Sequence, residues 1–236
     1  MTTLYFDPLW STWYQSLAEY RYQQLQRYQL RVIAEPTIEQ EPLSLPDAYA
    51  HLHIDTYGSP PASDHDAWLE DIGIPGARSW AEAYLGKTLA QTTLELTTDV
   101  FPSGDYIDLP GGPVREIVSV TYLDGAGVET DYYVDQFQLD TYSEPHRLYL
   151  AYEAEWPTEV RAERNAVRIQ YIAGYSLPTD SPQTTSPIPK RTRIGMLLML
   201  GHLWRNREDT TTVKLDMLPT GSRSFLDWDR VRVGFA

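Results

Sequence analysis

The hydrophobic period of this chain changes twice, and that order limits what it can fold into. Up to Leu85 the apolar residues recur at three- and four-residue spacing. From Thr92, in TTLELTT, they alternate, and after Ile188 the helical spacing returns. Short alternating pieces follow Thr92: Tyr106–Leu109, a long one marked by Val114, Ile117, Val118, Val120 and Tyr122, then 132–134, 137–139, 148–150 and 167–171. The turns PGGP and Asp124-Gly125-Ala126-Gly127 separate them. Many short strands between Gly and Pro turns predict an antiparallel sheet, a small sandwich or barrel. The expected fold class is therefore α+β: a helical body whose members come from both sides of an inserted antiparallel β module. The expected divisions are an N-terminal arm at 1–35, the first part of the helical body at 36–90, the β module at 91–176, a linker and closing helix at 177–209, and a C-terminal docking tail at 210–236.

The strongest helix is the closing one, PKRTRIGMLLMLGHLWRNRE at 189–208. Pro189 suits a first helical turn. Gly195 and Gly201 weaken the helix by propensity, so their use is close approach of another helix. Ahead of the β module, Ser44 reads as an N-cap with Asp47 as its acidic partner and Pro46 in the first turn. A second helix is expected from about Asp64 to Leu85. Ser63 would cap it, Pro75 and the glycines at 73 and 76 warn of a kink, and Gly86 would close it. Near the N-terminus, Trp10, Trp13, Tyr14 and Leu17 share one face of a predicted helix, which suggests an arm in contact with a neighbouring subunit. Leu30 to Ile33 reads as a short extended piece.

Composition excludes more than it selects. The chain has no cysteine, which removes disulfides, thiolate catalysis and cysteine metal sites and fits a reducing compartment. Residues 1–187 carry 10 Lys or Arg against 28 Asp or Glu, and residues 188–236 carry 9 against 5. An acidic body repels nucleic acid, and the basic end suits an acidic docking surface. His51 and His53 do not share a helix face, and Asp64-His65-Asp66 is a capping cluster rather than a metal triad. No serine elbow and no glycine-rich phosphate loop is present. The apolar run of the closing helix is too short to span a membrane. No catalytic, metal or cofactor-binding residue is expected, and no cofactor.

Three stretches, in order, resemble the head–tail adaptor (connector) proteins of tailed bacteriophages, prophages and gene transfer agents. The first is EPLSLPDAYAHLHID at 41–55, where Ala48, His51, Leu52, Ile54 and Asp55 match, Asp47 stands for an acid and His53 replaces a basic residue. The second, at 101–140, matches at Ile107, Leu109, Pro110, Pro113, Val114, Val118, Val120, Tyr122, Asp124 and Gly127. The third, at 165–208, ends in Gly201, His202, Leu203, Trp204, Asn206, Arg207 and Glu208. The resemblance spans roughly 41–208 and leaves both chain ends outside it.

The resemblance implies a structural protein of the virion neck, in the host cytoplasm during assembly, and not an enzyme. It implies a homo-oligomeric ring, typically of twelve copies, seated under the portal protein and offering a surface to the next neck or tail protein. DNA would pass through the channel without specific binding, and no membrane would be involved. The alternatives are another neck protein (head completion or tail terminator) and a carbohydrate-binding β module, whose Tyr and Trp would stack on sugars. Docking to the portal or a neighbour is expected from Arg223, Phe225, Trp228, Arg230, Val231, Arg232, Val233 and Phe235, in a tail without a fold of its own until it docks. Arg207 is expected to tie the closing helix to the helical body, with Glu208 or a carboxylate of the Ser44–Asp55 helix as acceptor.

Overall fold

The computed structural model describes residues 29–58, 61–177, 187–207 and 220–231. The predicted N-terminal helix face and Glu208 lie outside them. In chain order the elements are β1 (Gln29–Ala34), α1 (Leu45–Leu52), α2 (Asp66–Trp68), a π turn (Leu69–Gly73), α3 (Ile74–Leu85), β2 (Thr92–Thr98), β3 (Tyr106–Leu109), β4 (Val114–Leu123), β5 (Glu129–Asp131), β6 (Phe137–Asp140), β7 (His146–Leu150), β8 (Val167–Ala173), α4 (Lys190–Arg205) and α5 (Thr220–Leu226). The fold is α+β, with helices from both sides of an antiparallel β insert.

Local chemistry accounts for the helix ends. Ser44 and Asp47 form a reciprocal capping box: the Asp47 amide donates to Ser44 Oγ and the Ser44 amide to Asp47 Oδ2, at 3.4 and 3.1 Å. The second helical stretch begins two residues after the expected start. Ser63 still serves it, because its amide donates to Asp66 and its hydroxyl accepts from the His65 amide. The expected break is the π turn, which lies just ahead of Pro75. Gly73 is packed under Trp68 there, since a Cβ on it would stand 2.5 Å from the indole. Gly86 ends α3 in the left-handed conformation, φ 70°. Pro189 is the N-cap of α4 rather than a residue of its first turn.

The helices share one core that includes Leu43, Tyr49, Leu69, Ile74, Leu85, Met196, Leu200 and Leu226. Both glycines of α4 serve close approach. A Cβ on Gly195 would stand 2.9 Å from Leu226 of α5, and one on Gly201 would stand 3.3 Å from Nε2 of His51 in α1. An Arg193–Asp47 ion pair adds a second tie between α4 and α1.

The β module is a sandwich. One sheet has the order β1-β2-β8-β4-β5 and the other β3-β7-β6, with every pair antiparallel. Leu94, Leu96, Val120, Val167, Ile169 and Tyr171 of the first sheet and Ile107, Leu109, Phe137 and Leu148 of the second build one core. β8 alternates buried and half-buried residues along its length, as a strand facing one core must. Phe101 stacks on Trp156 at 4.9 Å, and the Trp156 indole donates to the Gly104 carbonyl.

Residues 29–34 were expected in the N-terminal arm, but they form an edge strand of the larger sheet. Leu30 pairs with Leu96 and Val32 with Leu94, and Arg31 Nε donates to Glu95 at 2.8 Å. Gln170 holds the other oxygen of that buried carboxylate.

The two halves meet at Arg78. Its guanidinium is buried in α3 and reaches Glu41 (3.0 Å), Glu82 (2.8 Å) and Glu35 (3.6 Å). Glu82 in turn accepts from the Leu89 and Ala90 amides, where the chain leaves the helices for β2. Burial works against the Arg78 charge, yet Glu82 and Glu41 hold it protonated. Burial also raises the Glu41 carboxyl, and the attraction of Arg78 offsets only part of that. Removing the cation strands two carboxylates in a desolvated joint. Arg78→Ala should therefore cost about 3–5 kcal/mol of stability. Arg78→Lys should recover less than half, because an ammonium has no fork to satisfy both acids. Urea unfolding at neutral pH measures both, and an alanine midpoint equal to the wild type would contradict the joint's role.

Candidate interaction surfaces

Among the described residues no group of three or more His, Cys, Asp or Glu side chains could hold a metal ion, and no helix is long and apolar enough to cross a membrane. What the structure offers is surface, and the C-terminal segment contributes much of it.

Residues 220–231 differ from the expected open tail, because they pack on the helical body. Leu226 is fully buried in the helical core. The Tyr84 hydroxyl donates to Asp227 at 2.5 Å, and the Val231 amide donates to the Leu85 carbonyl at 2.9 Å. Asp229 accepts from Arg191 Nη2 at 2.6 Å and from the Thr192 hydroxyl at 2.7 Å. The physical reason is a notch: Gly195 leaves room for Leu226, and the side of α4 next to it supplies donors for Asp229.

This packing divides the expected docking residues. Phe225 and Trp228 remain outside, and Trp228 is 78% exposed. Arg223 and Arg230 lie over the Tyr84 ring, at 5.9 and 4.9 Å from its centre. Val231 is half-buried. Trp228, Arg230 and Val231, with Asp227 and Glu144 of the β6–β7 loop, line a cleft of 470 Å³. Arg232, Val233 and Phe235 lie outside the described residues, as do Trp10, Trp13, Tyr14 and Leu17.

Arg207 meets aromatic faces where a carboxylate was expected. Its guanidinium lies 4.0 Å from the Trp204 ring centre and 4.8 Å from that of Trp68. Trp204 also meets Trp68 and His65 edge-on. The expected acceptor Glu208 lies outside the described residues. The contact that Arg207 itself makes is thus a cation–π one. Trp204 of α4 supplies one ring, and Trp68, at the end of α2, supplies the other.

Charge is segregated. The described residues of 187–207 and 220–231 carry seven basic against two acidic side chains, while 87–177 carry six against fifteen. The site residues that sequence reasoning missed are Arg78, Glu41 and Glu82. The signal was an arginine set between Ala77 and Ala81 in an apolar helix stripe.

No protein-family model matches this chain, and no curated protein does. Solved structures do. A chain of the virion of a native gene transfer agent particle superposes with a TM-score of 0.64 at 20% identity, covering 88% of this chain and 98% of that one. A chain from the neck of an empty gene transfer agent particle, computed with C6 symmetry, gives 0.65 at 22% identity and the same coverage. One from the neck of a native particle, computed with C12 symmetry, gives 0.61 at 20%, again with 88% and 98% covered. The likeness is one of fold. It runs through both halves, so the helical body and its β insert recur together in those chains.

Two measurements test these contacts. Arg207→Ala should lower stability by about 0.5–1 kcal/mol, the range of an exposed cation–π contact. A melting curve unchanged over repeated scans would remove the tie. Burial would raise the Asp229 carboxyl, but hydrogen bonds from Arg191 and Thr192 bring it below the ordinary carboxylate range. Asp47 behaves likewise: burial raises it, and the bonds from Ser44 and Arg193 outweigh that. A depressed folded pKa gives stability that is present above the unfolded value and lost as pH falls through the folded one. Urea midpoints should therefore fall from about pH 5 to about pH 3, and fall less steeply in Asp229→Asn. Equal slopes in the two proteins would sink the assignment.

Proposed function

We propose that this protein is a structural adaptor of a phage-like or gene-transfer-agent particle. Copies of it form a ring in the neck, join the portal protein to the next neck or tail protein, and extend the DNA channel. The observation that carries this is the shared architecture, helical body plus β insert, with chains of gene transfer agent virions and necks over 98% of their length. The neck computed with C12 symmetry supports twelve copies, in keeping with the resemblance of the three sequence stretches.

The physical properties fit such a role. A net charge of -14 keeps a channel wall from holding the phosphate backbone. The segregation of charge gives each copy unlike surfaces, which a closed ring of head-to-tail contacts needs. The segment after Val231 and the apolar residues Trp10, Trp13, Tyr14 and Leu17 are assigned to the portal and to the neighbouring copy respectively. The carbohydrate-binding alternative is disfavoured by the outer face of the smaller sheet. Arg147 lies over the Tyr106 ring at 4.5 Å and is paired with Asp108, so that ring is not free to stack on a sugar.

Negative-stain microscopy of the concentrated protein, alone and with portal rings, should show rings with twelvefold rotational symmetry and a central channel. The same protein should leave duplex DNA unshifted in a mobility assay at physiological salt. A protein that stays monomeric at every concentration and on portal rings would overturn the adaptor reading.

A further inference from the structure

Two exposed apolar patches lie on opposite sides of α4. Leu198 faces Gly221 of α5, and Leu200 faces Gly73 of the π turn. Two positions along a helix are a rotation of about 200°. α5 and the π turn therefore flank α4 from opposite directions. The core packing described above holds both in place.

The patches are unlike in charge and alike in having an apolar centre. On the α5 flank the centre is Trp228 with Phe225, three residues before it. Arg223 and Arg230 stand beside them, and among the described residues neither has a carboxylate partner; the nearby acids Asp227, Asp229 and Glu144 are taken up by Tyr84, Arg191 and Lys87. Nε of Arg223 is buried without an acceptor. On the other flank the centre is Ile72, 57% exposed at the tip of the π turn. Glu70 and Asp71 precede it, and among the described residues neither has a cationic partner. Apolar centres with charged rims of opposite sign are the anatomy of a specific protein interface.

We infer that the Trp228 patch of one copy seats on the Ile72 patch of the next. This rests on the ring reading proposed above and gives it a lateral contact. The occupant is a second copy because the two patches complement each other and their elements lie on opposite flanks of α4. Such a head-to-tail contact uses both patches in every subunit and leaves neither exposed once the ring closes. Trp228 is its anchor, as tryptophan commonly is at the centre of an interface. The four charges set the partner and the register.

Charge reversal tests it. One variant carries Arg223→Glu and Arg230→Glu, the other Glu70→Arg and Asp71→Arg. Circular dichroism and melting curves check that each folds. Sedimentation velocity then follows self-association against the wild type. Each variant alone should associate at least about tenfold more weakly. A one-to-one mixture should recover assembly, because each contact then joins either two native patches or two reversed ones. Trp228→Ala, a surface change with no core contact, should weaken assembly without lowering the melting temperature. It covers the case in which the Arg223 change disturbs the fold. If both variants and Trp228→Ala assemble like the wild type, the contact is wrong while the ring reading stands. A mixture of two folded variants that stays monomeric also overturns the contact. A wild-type protein that never self-associates, alone or on portal rings, overturns the ring reading and this contact with it.

Discussion

The structure depends on one buried cation. Arg78 touches Glu41 ahead of α1, Glu82 one turn along α3 and Glu35 beyond β1, and Glu82 caps the strand that leaves for the β module. Each half of the molecule has its own apolar core, and neither core dictates how the other sits. An apolar plug at the joint could match the stability of the ion pairs, since burying charge is costly. It could not supply direction. The planar guanidinium donates to carboxylates only in its own plane and at fixed angles, so the joint favours one orientation.

Local signals were legible wherever chemistry and consequence lie within a few residues. Ser44 and Asp47 cap each other across three positions, and Gly86 takes the one conformation that ends a helix there. The edge strand β1 was not legible as part of the sheet. Its partner, β2, lies more than sixty residues on, and nothing in QLRVIA names Glu95 or Leu94. The Arg78 joint was half legible. A charge inside an apolar stripe must be paired, but which acids pair it is a property of the fold and not of the stretch.

The C-terminal segment shows how composition misleads. Thr, Pro, Gly and Ser read as chain without a fold, and Phe225 and Trp228 read as apolar residues in need of a partner. Leu226 decides otherwise. It is one residue in a polar stretch, and its receptor is a missing Cβ at Gly195. Sequence reasoning found that gap and assigned it to close approach, but could not say which helix would come. At Arg207 the expected acceptor was a carboxylate, and the groups it meets among the described residues are two indoles. Guanidinium serves carboxylates and indoles alike, and the two indoles that meet it come from stretches 136 residues apart.

On the proposed ring reading, these interactions act in series. A ring closes only when every copy turns the next by the same angle, so the two flanks of a subunit must keep a fixed relation. Here both flanks are built on α4, and Gly195 against Leu226 and Gly73 against Leu200 let each approach it closely. The β module then needs its own constraint, because it shares no core with α4. Arg78 holds it from the helix side and the 2.5 Å Lys87–Glu144 pair from the β6–β7 loop. Glu144 also borders the Trp228 cleft. The loop that steadies the β module thus lies beside the surface assigned to the next copy, so tilt of the module and seating of the neighbour bear on the same few residues.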